Sequence, residues 1–207
     1  MASFLTNPSG ETRQAKTHIT LEIGPTLLED CIRGERKAQF KLHRLCFPVL
    51  MGICMRYRKS EQEAASMLNV GFLKVLDNLD KYKSNVPFEA WIRRIMINVL
   101  IDDFRKNRKV RELIEYTDFS ESFTSEPPID FNEAEKQFDA EQLEAFIQAL
   151  PSVSQKAFNL FAIDGYTHKE IAELLNISEG TSKWHVSFAR KKLQEMMQRP
   201  AKSSRVV

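Results

Sequence analysis

The sequence predicts an all-α protein made of two small helical domains. Apolar residues recur at steps of three and four over most of the chain. Glycine and proline, at 7 and 8 of 207 residues, are too few for a turn-rich β fold. One internal stretch with clustered Ser, Thr and Pro interrupts the helical pattern. The predicted organisation is an irregular N-terminus (1–24), a helical domain (25–108), a flexible acidic linker (109–138), a second helical domain (139–197) and a basic tail (198–207).

Composition and motif content exclude several classes of protein. The formal net charge is only +2, and no apolar run reaches the roughly 18 residues of a membrane span. The first residues lack the basic-then-apolar order of a signal peptide, so we expect a cytoplasmic protein. The nucleotide, hydrolase and metalloprotease motifs GxxxxGK[ST], GxGxxG, GxSxG and HExxH are absent, which predicts no enzyme activity, no cofactor and no metal site. Cys31, Cys46 and Cys54 are expected to be buried, reduced thiols.

The first domain is predicted to contain four helices. In the segment 36–57, six apolar residues are expected to face inward: Phe40, Leu45, Val49, Leu50, Ile53 and Met55. In the segment 60–79, the inward residues would be Ala64, Met67, Leu68, Phe72, Val75, Leu76 and Leu79. Pro87 suits the first turn of the next helix. That helix would bury Phe88, Trp91, Ile92, Ile95, Met96 and Val99.

Charge is strongly segregated along the chain. A basic series stands immediately before the acidic residues: Arg93, Arg94, Arg105, Lys106, Arg108, Lys109 and Arg111. The linker that follows is acidic, with Glu112, Glu115, Asp118, Glu121, Glu126, Asp130, Glu133 and Glu135. The order is therefore a basic helix, an acidic tether and a second helical domain.

The segment 167–193 predicts two helices joined by a tight turn. Thr167 and Glu170 have the spacing of a capping box, Asn176 suits the turn and Ser178 can cap the second helix. The expected inward residues are Ile171, Ala172 and Leu175, followed by Ser182, Val186, Ala189 and Leu193. The expected outward face of the second helix carries Thr181, Lys183, Trp184, His185, Ser187, Phe188, Arg190 and Lys191.

This arrangement is typical of a DNA-binding helix-turn-helix. The alternative is a helical hairpin with a solvated basic face, which basic residues alone would not exclude. Two outward aromatics, Trp184 and Phe188, favour DNA, because exposed aromatics suit contact with base edges and thymine methyl groups.

Both domains resemble conserved regions of the extracytoplasmic-function (ECF) sigma factors, in the family's order. The segment 150–175, from Leu150-Pro151 through Gly165 to Leu175, is similar to the start of the family's fourth region, and 178–193 continues it. The first domain resembles the second region through a pattern of aromatic, Trp, Asn, Asp and Arg residues: Phe88, Trp91, Asn98, Asp102 and Arg105.

The resemblance implies a sigma factor that binds core RNA polymerase and promoter DNA. The second helix of the helix-turn-helix would read the −35 element, and the first domain would open the −10 element. The implied −10 contacts are Ser84 and Asn85 in the loop Lys81–Pro87, Asn98, and the cations Arg93, Arg94, Arg105 and Lys106. Members of the family are commonly held inactive by an anti-sigma factor, which is a further expected partner.

The sequence departs from the family at two places. The polymerase contact would lie on Ser66, Asn69 and Phe72, yet where the family has an Asp and a Gln-Glu pair this chain has Ser66, Asn69 and Val70. Phe188 stands where the family often has Arg.

Several alternatives remain open from the sequence. A stand-alone helix-turn-helix regulator would explain the second domain equally well. A nucleic-acid enzyme would need a metal pair, and adjacent Asp102 and Asp103 would splay apart on a helix. Trp91 could pack in the core or line a base pocket, and Asn98 could border that pocket or bond to another helix. The acidic linker could mimic nucleic acid within the polymerase or be a soluble tether.

Overall fold

The computed structural model describes residues 23–111 and 140–198, and every regular element in these ranges is helical. The predicted linker beyond Arg111 and both chain termini lie outside the described residues. The first domain contains α1 (Pro25–Ile32), α2 (Arg36–Tyr57), α3 (Glu61–Leu76), a 3₁₀ turn (Leu79–Lys81) and α4 (Phe88–Arg111). The second contains α5 (Ala140–Gln148), α6 (Ser152–Phe158) continued by a π-helical turn (Asn159–Ile163), α7 (His168–Leu175) and α8 (Glu179–Gln198). The all-α, two-domain prediction is confirmed.

In the first domain α2, α3 and α4 pack against one another, and α1 lies on α2. Ser60 caps α3, because its hydroxyl accepts a hydrogen bond from the backbone N–H of Glu63. Gly71 lets α3 approach α4 closely, since a Cβ at this position would overlap the sulfur of the buried Met96. The inward residues predicted for α3 and α4 are all buried or half-buried.

The predicted inward face of α2 is wrong at two positions. Phe40 is 65% exposed and Leu45 is 37% exposed. The buried residues of this helix are instead Ala38, Leu42, Cys46, Leu50, Ile53, Cys54 and Tyr57. A small residue, two cysteines and a tyrosine form much of this face, so a search for large aliphatic side chains identifies only part of it. The three cysteines are buried and free, and burial raises the pKa of Cys46 and Cys54 to about 12.

In the second domain α6 and α7 both pack against α8. The capping box of α7 is present, with Thr167 and Glu170 each bonding to the other's backbone N–H. Ser178 accepts a hydrogen bond from the N–H of Thr181 at 3.0 Å. The predicted inward residues Ile171 and Leu175 are fully buried, whereas Ala172 is only half-buried. The helix-turn-helix therefore folds as its local signals predict.

Asn176 forms the turn between α7 and α8 in the left-handed conformation, with φ 54° and ψ 53°. Replacing it with alanine is expected to cost about 1 kcal/mol of folding stability, because a Cβ without a polar partner disfavours this conformation. Replacement with glycine is expected to be close to neutral. Urea unfolding of the two variants measures the difference. Equal stabilities would contradict a conformational role for Asn176.

The two domains are in direct contact. The C-terminal part of α2 packs against the second domain, and α7 packs against α4. In the sequence, a break in composition and a break in charge indicate separate domains, but neither reveals this contact. Among the helices of the described ranges, none is long and apolar enough to cross a membrane.

Candidate nucleic-acid interface

The outer face of α8 combines aromatic and charged side chains. Trp184 and Phe188 lie one helical turn apart and stack, with ring centroids 5.2 Å apart and planes at 14°. Lys183 is exposed beside them and its Nζ lies 2.8 Å from Glu179. Ser187 is also exposed. A flat apolar plate flanked by a cation and a hydroxyl can supply both apolar and hydrogen-bonding contacts to base edges.

His185 does not belong to this face, and its predicted outward position is wrong. The residue is only 7% exposed, and its Nδ1 lies 2.9 Å from the buried Ser154 hydroxyl on α6. The inward stripe of α8 is therefore broader than the four predicted residues, since position 185 lies beside Ser182 and Ala189 on the helix. The histidine instead fixes α8 to α6.

Three other predicted contacts of α8 occupy its margins. Thr181 lies in the first turn, where its hydroxyl is 2.8 Å from that of Ser178. Arg190 is half-buried, with its guanidinium 5.4 Å from the ring centroid of Phe161. Lys191 is half-buried as well. The guanidinium of Arg190 is thus held against Phe161 of the same domain. Lys183 is therefore the most exposed of the cations predicted on the outer face of α8.

His168 is a residue of this site that the sequence did not single out. Its ring stacks on Phe161 at 4.4 Å and its Nδ1 lies 3.1 Å from the hydroxyl of Ser182 on α8. Burial, and then the charge of Lys183, lower the pKa of His168, so that the ring is neutral near pH 7. The contact joins the first helix of the motif to the second, and thereby helps to set their crossing.

The loop before α4 closes over an aromatic cluster. The ring of Tyr82 lies 5.1 Å from that of Phe88 and 5.2 Å from that of Trp91. The hydroxyl of Tyr82 donates to the carbonyl of Val86, which ties the two ends of the loop together. Trp91 is half-buried, so it packs in the cluster and still reaches the surface. Tyr82 is a member of this cluster that the sequence did not single out, although an aromatic residue within a polar loop could have indicated it.

The loop tip and the adjacent face of α4 present polar and basic groups. Ser84 and Asn85 are exposed at the tip. On α4, the exposed residues Arg94, Asn98 and Arg105 fall on one face at steps of four and seven. Asn98 is exposed on this face, which disfavours the alternative of a helix-to-helix hydrogen bond.

The remaining basic and acidic residues of α4 differ in their contacts. Lys106 is exposed, whereas Arg93 is half-buried and pairs with Glu89 at 2.7 Å. Asp103 pairs with Arg58 at 2.6 Å, while Asp102 is exposed near Arg105. The two adjacent aspartates point to different partners and do not form a pair that could share a cation.

The predicted polymerase contacts are only partly at the surface. Ser66 and Asn69 are exposed on α3. Phe72 is 7% exposed and packs edge-on against His43 of α2, with ring centroids 4.8 Å apart, so it lies inward as its place on the apolar stripe predicts and offers little surface to the predicted polymerase contact. Its position follows the inward steps of α3 from Leu68 to Val75, which determine its burial.

A group of exposed apolar side chains surrounds these positions and was missed from the sequence. Four of its members lie on α2 and α3, and one lies at the end of α1. We term this group the α2–α3 patch: Ile32, Phe40, Phe47, Val70 and Leu73. The ring of His43 on α2 contacts the rings of Phe47 on the same helix and Phe72 on α3, and so links α2 to α3 below the patch. A groove of about 470 Å³ lined by Ile32 and Leu73 continues it toward α1. Exposed apolar side chains gathered on neighbouring helices are typical of a protein-binding surface.

Comparison with known proteins identifies both domains. The family model for Sigma-70 region 2 matches residues 42–110, and that for Sigma-70, region 4 matches residues 140–193. The chain is similar to the RNA polymerase sigma-H factor of Pseudomonas aeruginosa, with 24% identity over 87% of this chain and 96% of that protein. It is also similar to the ECF RNA polymerase sigma factor EcfG of Rhodopseudomonas palustris, with 24% identity over 72% of this chain and 80% of that protein.

Among solved structures, the sigma factor RpoE of Bartonella quintana, in complex with the anti-sigma factor NepR, aligns with 77% of this chain and 96% of its own, at 21% identity and a TM-score of 0.48. The two family matches cover both domains and follow the order of the two regions in the chain. The chain therefore belongs to the sigma-70 family, as an alternative sigma factor of the extracytoplasmic-function type that directs promoter recognition.

Proposed function

We propose that this chain binds core RNA polymerase and directs it to promoters, with its first domain opening the −10 element and its second domain reading the −35 element. It acts in the cytoplasm and performs no chemistry of its own. The observation that carries the proposal is the presence of two separate DNA-directed surfaces in one chain. One is the outer face of α8, and the other is the loop Lys81–Pro87 with the basic face of α4.

The −35 element is read by α8 in the major groove. Lys183 and Ser187 donate hydrogen bonds to base edges, and the stacked Trp184 and Phe188 contact thymine methyl groups. Lys191 and the exposed part of Arg190 contact phosphates. The first helix of the motif, α7, crosses the backbone as in other helix-turn-helix domains.

The −10 element is opened by the loop and α4. Arg94, Arg105 and Lys106 contact the phosphates of the duplex, which supplies affinity that falls as salt rises. An unstacked base then needs an apolar surface for its face and polar groups for its edge. The cluster of Tyr82 and Trp91 supports the first requirement, and the exposed tip of the loop supports the second.

Core polymerase binds the α2–α3 patch, with Ser66 and Asn69 at its polar edge. Stable protein interfaces combine an apolar centre with a polar rim, and this surface has both. The apolar side chains thus take the place of the acidic contacts that the family carries on this segment. By resemblance to the family, an anti-sigma factor is a further proposed partner.

Transcription with purified components tests the proposal. The protein is combined with core polymerase from its own host and fragmented genomic DNA. Discrete transcripts that share two spaced upstream elements are expected. If the protein fails to bind core polymerase but protects duplex DNA alone, it is a stand-alone helix-turn-helix regulator and the proposal is wrong.

Replacing Lys183 or Trp184 with alanine is expected to change the −35 preference or to cost roughly 1–3 kcal/mol of promoter binding. Each variant removes a group proposed to touch bases. Transcription from a library of randomised −35 sequences measures the effect. Lys192→Ala on the same helix is the control, because this lysine pairs with Glu195 at the edge of the face. An unchanged −35 profile in both test variants would refute the assignment.

A further inference from the structure

The outer face of α8 carries an apolar plate formed by Trp184 and Phe188. The two rings are nearly parallel, with planes at 14° and centroids 5.2 Å apart. Both side chains are half-buried, so each ring is partly covered and partly accessible. Trp184 also packs edge-on against the ring of His185, which is itself buried and bonded to Ser154. The core of the domain therefore holds the plate in place before DNA arrives.

The plate lies on the part of α8 that approaches base edges. In a helix-turn-helix, residues near the N-terminus of the second helix reach the bases through the major groove. Because α8 begins at Glu179, Trp184 and Phe188 fall in its second and third turns. Lys183 and Ser187, each one position earlier in the chain, are exposed beside them. The plate therefore occupies the middle of the face that is proposed to read the −35 element.

Groups that read guanine are scarce on this face. The commonest guanine contact is a bidentate one from Arg or Lys. The first ten residues of α8, 179–188, include no arginine. Arg190 is held against the ring of Phe161. Lys183 pairs with Glu179 at 2.8 Å, and this hydrogen bond lowers the pKa of Glu179, so a guanine contact of Lys183 competes with an ion pair. Base choice therefore depends mainly on the plate.

The group in the major groove that matches an apolar plate is the C5-methyl group of a pyrimidine. Thymine presents this methyl group, whereas cytosine does not. Phe188 has no hydrogen-bonding group and Trp184 has a single N–H donor, so the plate has little means of comparing the polar edges of the two bases. A 5-methylcytosine carries the same methyl group at the same place. The plate therefore senses the methyl group more than the identity of the base that carries it.

The spacing of the two rings matches two adjacent bases of one strand. Successive base pairs of B-DNA rise by about 3.4 Å and turn by about 35°. Methyl groups in the major groove lie several ångströms from the helix axis, so those of adjacent pyrimidines are about 5 Å apart. The ring centroids of Trp184 and Phe188 are 5.2 Å apart. Each ring can therefore contact one of two neighbouring methyl groups.

We propose that the Trp184–Phe188 plate selects the −35 element by the 5-methyl groups of two adjacent pyrimidines on one strand, so that 5-methylcytosine is accepted in place of thymine. The inference rests on the proposed function only in placing α8 on the −35 element. It makes the protein responsive to cytosine-5 methylation of DNA, because methylation of a cytosine in such a step strengthens the element.

DNA fragments that differ only in methyl groups test the proposal. The protein with core polymerase selects a −35 element from a randomised duplex library, and the free protein selects from the same library at low salt. Each thymine of the selected element is then replaced by deoxyuridine, which removes the methyl group and keeps the hydrogen-bonding groups. Binding is expected to fall about fourfold at each of two adjacent positions, the effect of one buried methyl group, and to stay within about twofold elsewhere.

A second set of fragments tests the acceptance of 5-methylcytosine. At the two sensitive positions, cytosine paired with guanine replaces thymine paired with adenine, either with or without the C5-methyl group. The methylated fragment is expected to bind about fourfold more tightly per methyl group than the unmethylated one. Equal binding of the two fragments would restrict the readout to thymine and overturn the response to DNA methylation.

Variants of the plate show whether its rings sense the methyl groups. In Trp184→Ala and Phe188→Ala, the ratio of thymine to deoxyuridine binding should approach one at the position that the missing ring contacts. Lys183→Ala should weaken binding overall but keep the ratio, because its contact is polar. Lys192→Ala should change neither, since this lysine pairs with Glu195. Circular dichroism reports whether each variant folds, and the deoxyuridine comparison with the parent protein depends on no variant.

The outcomes separate this inference from the proposed function. A selected element without adjacent thymines on either strand would overturn the inference and leave the sigma-factor activity standing. Equal binding of thymine and deoxyuridine, or an unchanged ratio in both plate variants, would do the same. Selection by the free protein but not with polymerase would overturn the proposed function, and the deoxyuridine comparison on that element would still decide the inference. If neither selects any sequence, both fall.

Discussion

Replacing Phe40 with glutamate is expected to weaken binding of core RNA polymerase by at least about 30-fold. Phe40 is the most exposed aromatic side chain of the α2–α3 patch, at 65%. A charge placed in the apolar centre of an interface loses the burial of the ring and adds an uncompensated desolvation. Central interface residues of this kind are worth about 2 kcal/mol or more, and 1.4 kcal/mol is a factor of ten in affinity. Fluorescence anisotropy of labelled protein titrated with core polymerase measures the change.

The fold should be unaffected, since substitutions at exposed positions usually change stability by no more than about 0.5 kcal/mol. Leu73→Glu, on the neighbouring helix, should weaken binding in the same direction. Ile163→Glu is the matched control, because it places the same charge on an exposed apolar residue of the second domain. Core binding that stays within twofold of the parent in both patch variants would move the polymerase surface elsewhere.

Replacing Phe158 with alanine is expected to destabilise the second domain by about 3–5 kcal/mol. Phe158 is 1% exposed and packs with Leu150, Ala189 and Leu193 in a buried cluster. This cluster attaches α6 to the recognition helix α8, and removal of the ring would leave a cavity between them. Since marginally stable proteins have only about 5–15 kcal/mol in total, the loss would also impair reading of the −35 element.

Urea unfolding, with hydrogen exchange of the α8 amides, measures this effect. We expect exchange in α8 to accelerate much more than exchange in α2, because α2 packs mainly within the first domain. Phe47→Ala provides the comparison for stability, since this phenylalanine is exposed on α2. A loss of less than about 1 kcal/mol for Phe158→Ala would contradict the role of the ring as the centre of the α6–α8 contact.

Local signals in the sequence correctly predicted most of the helices and the helix-turn-helix. Thr167 and Glu170 form the capping box that their spacing predicts, and Asn176 adopts the left-handed turn. These features depend on residues within a few positions of one another, where the chain itself holds the partners together. The inward faces of α3 and α4 were equally predictable, because their apolar residues are large and follow one helical stripe.

The candidate site was predictable as a set of segments, but not residue by residue. Trp184, Phe188 and Lys183 lie on the outer face of α8 as expected, whereas His185 is turned inward toward Ser154, 31 positions away in the chain. Phe40, which was expected to face inward, is instead exposed. In each case a long-range partner decides which edge of an amphipathic face is covered.

The sequence by itself determined the fold class, the two regions and the recognition motif, because these follow from short-range spacing and from resemblance over contiguous segments. Only the tertiary structure decided the contact between the domains. Asp164 and Arg56 are separated by 108 positions, and neither lies in a pattern that predicts a partner. Pairing across such a distance depends on the relative placement of packed surfaces, which no periodicity along the chain encodes.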